Sequence, residues 1–133
     1  MRVVLDTNIL ISGIIFPGGP PGKIIEKWIN GDFTVILSPT VLEEYFAVLL
    51  RPKFRRLGTS QELYNLLSGL TELENTIMVY PQTTVDVIKE DPADNKFLDC
   101  ALDGKADIIL SGDHHLLNLE VFRGVRIISP SYL

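Results

Sequence analysis

Four acids stand where an α/β chain places its chemistry. Asp6 follows the apolar run Val3-Val4-Leu5, and Asp113 follows Ile108-Ile109-Leu110 after Ser111-Gly112. Asp94 falls in the first turn of a predicted helix, and Glu44 lies one to two turns into another. In open α/β sheets, function collects beyond the carboxyl ends of the strands. Right-handed crossovers bring the helix starts to that same edge. Carboxylates gathered there raise one another's pKa values or stay apart unless a cation neutralises them. Oxygen-only ligands suit hard cations, Mg²⁺ or Mn²⁺, and the chain has no Cys/His spacing for zinc. A bound Mg²⁺ activates water and offsets charge on a phosphoryl group, the chemistry of metal-dependent nucleases.

Positioning these acids requires alternating strands and helices. Arg2–Leu5 reads as a short buried strand, β-branched and apolar, and residues 8–15 as a helix running to the Pro17–Gly22 loop. A helix over 23–30 carries Ile24, Ile25, Trp28 and Ile29 on one face, and Gly31 stops it. Phe33–Leu37 is a second strand. Ser38-Pro39 starts a helix, with a hydroxyl N-cap and proline at N1, that ends at Arg51-Pro52. Ser60 caps a leucine-rich helix, Ile77–Tyr80 is a strand, and Val85–Ile88 fits strand or helix. Asp91-Pro92 opens a helix that places Asp94 at N3. Asp107–Leu110 and Val125–Ile128 complete the strands. This alternation predicts a three-layer α/β/α domain spanning 1–133, with a mainly parallel sheet of about four or five strands.

Composition narrows the function classes. The chain has 133 residues, 46% hydrophobic and 22% charged, which excludes a disordered chain. Its apolar stretches fall short of the roughly 20 residues a membrane span requires. The first of them contains Asp6 and leads into a Pro/Gly loop, unlike a signal peptide. One cysteine, Cys100, fits a reducing compartment, and the chain reads as cytoplasmic. The net charge of −5 excludes a general nucleic-acid coat. Between Asp86 and Asp113, eight acids face three lysines, whereas Arg51, Lys53, Arg55 and Arg56 form a separate basic cluster.

Five pieces in order resemble the PIN-domain family of small Mg²⁺/Mn²⁺-dependent ribonucleases. They are Val-Leu-Asp6-Thr-Asn8, Ser38-Pro-Thr-Val-Leu-Glu-Glu44-Tyr, Arg51-Pro-Lys-Phe54, Asp91-Pro-Ala-Asp94-Asn-Lys-Phe-Leu-Asp99 and Ile109-Leu-Ser-Gly-Asp113. The tail Ile128-Ser-Pro-Ser-Tyr-Leu133 resembles that of a subgroup described as toxin components of toxin–antitoxin pairs. The resemblance implies endonucleolytic cleavage of RNA by an acidic quartet, Asp6, Glu44, Asp94 and Asp113, holding Mg²⁺ or Mn²⁺. It implies supporting hydrogen bonds from Thr7 or Asn8 and from Ser111, an antitoxin protein as partner, and a homodimer. Glu44 is preferred to Glu43 on the family's spacing from Ser-Pro; the helical wheel leaves both open. Asp99, about 140° around the helix from Asp94, is a secondary metal candidate.

Plainer readings stand beside these. Asp6, Asp94 and Asp113 each suit a turn or a helix start. Asp99 and Asp103 read as a surface pair, and His114 and His115 are not needed as ligands. The basic cluster is either a solvated loop or a phosphate contact whose affinity falls with salt. Trp28 and the leucine-rich helix are core or a dimer face. Two other functions compete. One is a phospho-accepting α/β domain using Asp6 or Asp113. The other is a non-catalytic RNA- or protein-binding module on the same scaffold.

Overall fold

The computed structural model describes residues 1–133. Its strands are β1 (Arg2–Leu5), β2 (Thr34–Leu37), β3 (Thr76–Met78), β4 (Ile108–Leu110), β5 (Val121–Phe122) and β6 (Val125–Ile128). Its α-helices are α1 (Thr7–Ile15), α2 (Pro20–Ile29), α3 (Pro39–Leu49), α4 (Ser60–Thr71), α5 (Asn95–Asp103) and α6 (His114–Leu117). Three 3₁₀ turns occupy Pro52–Leu57, Pro92–Asp94 and Pro130–Tyr132. The sheet order is β3-β2-β1-β4-β6-β5, parallel except for β5, within a three-layer α/β/α fold.

The sheet has six strands, one more than the upper expectation. The addition is β5, a two-residue strand paired antiparallel with β6. Arg123 (φ 46°) and Gly124 (φ 87°) form its turn, both left-handed, as a two-residue hairpin of matching twist requires. Glycine adopts that angle freely; arginine does so at a cost.

The centre of the sheet is apolar because parallel strands are covered on both faces. Val3, Val4, Leu5, Val35, Ile36, Leu37, Ile109 and Leu110 have no exposed surface. Trp28 is fully buried and donates its indole N–H to Thr76 Oγ1 at 2.8 Å, so it is core. Ile29, expected on the same face, is 55% exposed: Ile24 and Trp28 define the buried stripe, and Ile29 lies about 100° around the helix from Trp28. In α4, Leu63, Leu67 and Leu70 are buried, but Leu66 faces out. The cap of α4 is Thr59, not Ser60: Thr59 and Glu62 exchange hydrogen bonds in a capping box. Val85–Ile88 forms neither strand nor helix. Helices α1 and α2 pack closely at Gly13, where a Cβ would stand 2.6 Å from the Pro21 carbonyl oxygen.

One feature of the topology positions the site. From β1, the chain winds through β2 to β3 in one direction, and β4 and β6 lie on the other side. The reversal falls between β1 and β4, and a crevice opens beyond their carboxyl ends. Asp6 and Ser111 are the first residues past those two strands.

Candidate active site

Asp6 is 3% exposed and fully engaged. Its Oδ1 accepts the Ile9 N–H at 2.9 Å, capping α1. Its Oδ2 accepts the Ser111 hydroxyl and the Gly112 N–H. Burial pushes its pKa above the usual carboxylate value; the bonds from Ser111, Ile9 and Gly112 pull it partly back. Ser111, wholly buried, also accepts the Asp113 N–H at 2.9 Å, so one hydroxyl ties the two acids together. Asp113 in turn caps α6 through Oδ1, at 2.7 Å from the His115 nitrogen. The capping and site roles of both acids coincide in the same side chains.

Glu44 reaches the cleft because of its neighbour. Tyr45 is fully buried, and its hydroxyl donates to the Leu5 carbonyl at 2.5 Å, which sets the rotation of α3. Glu44 then faces the β1 end, while Glu43 is exposed and lines a different groove with Thr40 and Lys96. Glu44 Oε1 pairs with Lys96 Nζ at 2.7 Å, and Oε2 accepts the Thr7 hydroxyl. Thr7 is buried; Asn8, exposed, lines the cleft without a side-chain bond to any of the acids.

Asp94 does not sit at N3 of an α-helix. A 3₁₀ turn over Pro92–Asp94 precedes α5, and Asp94 is the residue before the α-helix begins. Its Oδ2 is buried without any hydrogen-bond partner. Burial, then the charges of Asp91, Asp113, Asp6 and Glu44, raise its pKa from 3.8 to about 6.

Asp6, Thr7, Asn8, Glu44, Asp94 and Asp113 line a cleft of about 220 Å³ together with Val48, Arg51, Asp91 and Phe97. Asp91 is marked by the sequence only as a helix cap, not as a site residue. It makes no capping hydrogen bond. Carboxylate oxygens of Asp91, Asp94 and Asp113 lie within 4.8 Å of one another. Lys96, which holds Glu44, carries no sequence signal that sets it apart from the other lysines.

Other candidates lie elsewhere. Asp99 is outside the cleft, its Oδ1 accepting the Val85 N–H at 2.6 Å. Asp103 Oδ2 accepts from Gln82 and Thr83 at 2.5 and 3.3 Å. The two are therefore not a surface pair; they fasten the segment before Asp91 to α5. Of the basic cluster, Arg51 lines the cleft, whereas Lys53, Arg55 and Arg56 are exposed in the following 3₁₀ turn, away from it. His115 faces Glu90 at 3.9 Å, and a nitrogen of each of His114 and His115 comes within 4.8 Å of an Asp113 oxygen. Burial pushes the Cys100 thiol up to about 12, which leaves it unreactive.

The residues fit a divalent cation. The donors in the cleft are carboxylates, the set that hard cations take. An unpartnered buried oxygen is expensive, and the one on Asp94 lies among like charges that a proton relieves below about pH 6 and a cation relieves above it. No helix is long and apolar enough to cross a membrane.

Comparison with known proteins agrees with the geometry. A family model described as PIN domain matches residues 2–115. The chain is also 34% identical over 121 residues to a protein of Methanocaldococcus jannaschii named "Uncharacterized protein MJ1680". That alignment covers 90% of this chain and 76% of the relative. The family match spans the acids of the cleft, and the chain belongs to the PIN-domain family, whose members are generally nucleases.

Proposed function

We propose that this protein is an Mg²⁺- or Mn²⁺-dependent endoribonuclease hydrolysing RNA phosphodiester bonds at the cleft beyond β1 and β4. The observation that carries the proposal is the unpartnered, buried Asp94 oxygen in a carboxylate cleft at the reversal point of the sheet. Asp6, Glu44, Asp94 and Asp113 would hold the ion. When bound, it supplies positive charge beside a phosphoryl oxygen and acidity to water.

The chain's own residues do the rest. Ser111 holds Asp6 and the Asp113 backbone in a fixed relation. Thr7 and Lys96 hold the two oxygens of Glu44 across from them. Arg51 on the cleft wall offers a guanidinium to a non-bridging phosphate oxygen. Without a cation the acidic wall repels a polyanion, so RNA binding in the cleft requires one. The tail's resemblance to a toxin-like subgroup extends the reading to a toxin restrained by a separate antitoxin protein.

The test is cleavage of end-labelled RNA and DNA of matched sequence with Mg²⁺, Mn²⁺ or EDTA, using the parent and Asp94→Asn. Internal cuts in RNA that need the metal and vanish in a folded Asp94→Asn support the proposal. RNA binding with no cleavage, unchanged by EDTA, would replace it with a binding module.

A further inference from the structure

We propose that Asp91 is a fifth carboxylate of the cation site, and that Asp91, Asp94 and Asp113 form its primary binding position. This rests on the divalent-cation reading above.

The first argument is local geometry. An α-helix opening at Asp91 would offset residues 91 and 94 around its axis. In a 3₁₀ turn, side chains three apart eclipse. The turn here is closed by the Asp94 N–H donating to the Asp91 carbonyl at 3.0 Å. Pro92 confines the residue before it to an extended conformation, and Asp91 adopts φ −138° and ψ 80°. The turn sets residues 91 and 94 one tight turn apart, and an oxygen of each lies within 4.8 Å of one on Asp113.

The second argument counts uncommitted oxygens. Both oxygens of Asp6 accept hydrogen bonds, from Ile9, Ser111 and Gly112. Both oxygens of Glu44 are engaged by Lys96 and Thr7. Asp113 gives one oxygen to its cap. Asp94 keeps a buried oxygen with no partner, and Asp91, placed where an acid normally caps, does not cap. The oxygens that accept no hydrogen bond are therefore on Asp91, Asp94 and Asp113, the three acids whose oxygens converge.

Calorimetric titration of Mn²⁺ into the full chain tests this. The variants are Asp91→Asn, Glu44→Gln and Asp86→Asn; the last removes an equal charge from an exposed pair with Lys89. Asp91→Asn should weaken Mn²⁺ binding at least about tenfold and by more than Glu44→Gln does, while Asp86→Asn stays within about twofold. In EDTA, Asp91→Asn should melt no lower than the parent, since it loses a like charge. Asp91→Asn binding as the parent does would overturn the proposal and leave the cation reading intact. A lower melting point in EDTA would also overturn it, in favour of a structural role. No binding by the parent would overturn both.

Discussion

The Lys96 ammonium lies 2.7 Å from Glu44 Oε1, each side chain about one-quarter exposed. The pair bridges α5 and α3 and holds an acid of the cleft. At that exposure it is worth more than a surface pair and less than a buried one, about 1–2 kcal/mol. Lys96→Met should therefore lower the Tm in EDTA by a few degrees. The double variant Lys96→Met/Glu44→Gln should melt close to the single one, because the charge left unpaired is gone. Thermal denaturation of the four proteins measures this coupling; additive losses would place the pair's energy elsewhere.

Asp94 sets a pH dependence. Its pKa is raised from 3.8 to about 6, so the folded chain binds a proton that the unfolded chain has released between about pH 4 and 6. Unfolding stability then falls as pH rises through that window, and the loss is complete above it. Solvent access to this group reduces the effect to about 1 kcal/mol. In EDTA, the Tm at pH 4.5 minus the Tm at pH 7 should be smaller in Asp94→Asn than in the parent, since the variant lacks this gain on acidification. A divalent cation reverses the sign for this group, because binding displaces its proton and tightens as pH rises. Melting curves at both pH values, with and without Mn²⁺, give all the arms.

Asp6 and Asp113 were legible in the sequence as acids at strand ends and Asp94 as an acid at a helix start, and the family resemblance set the three apart from the other acids. Choosing Glu44 over Glu43 needed the rotation of α3, which is set by Tyr45 bonding to Leu5 across 40 residues. No helical wheel contains that contact. Asp91 was hidden because Asp-Pro before a helix reads as a cap; that its side chain makes no capping bond has no sequence signal. Strand β5 was missed because its turn uses Arg123 at a positive φ, where a turn-forming residue would have signalled it. The bonds from Asp99 and Asp103 to residues 82–85 are likewise tertiary and have no local pattern.

Asn95 is the fastening most exposed to test. Its Oδ1 accepts from Val87 and Ile88 at 3.0 and 2.9 Å, and its Nδ2 donates to the Ile88 and Pro92 carbonyls at 3.0 Å each. It is 6% exposed. Asn95→Ala would strand the buried Ile88 N–H and carbonyl, costing about 2–4 kcal/mol, or about 10 °C in Tm. Limited proteolysis should then cut within residues 81–91 first, because Asn95 holds that segment to α5. A protein that melts as before, with that segment still protected, would assign the fastening to Asp99 and Asp103 alone.

Arg51 and its basic neighbours should separate in kinetics. Arg51 lines the cleft, while Lys53 lies 5.0 Å from the Phe54 ring centroid and Arg55 and Arg56 end the 3₁₀ turn outside it. A guanidinium that meets the scissile phosphate acts on the reacting group; charges along the approach act on the bound strand. Arg51→Ala should lower kcat for RNA cleavage by about 10- to 100-fold, the loss of one charge-assisted bond. The triple variant Lys53→Ala/Arg55→Ala/Arg56→Ala should leave kcat near the parent value and raise KM. Its KM should also depend less on salt, since fewer counterions are released on binding. If Arg51→Ala changes only KM, Arg51 belongs with its neighbours as a strand contact, and the phosphate at the acids is met by the cation alone.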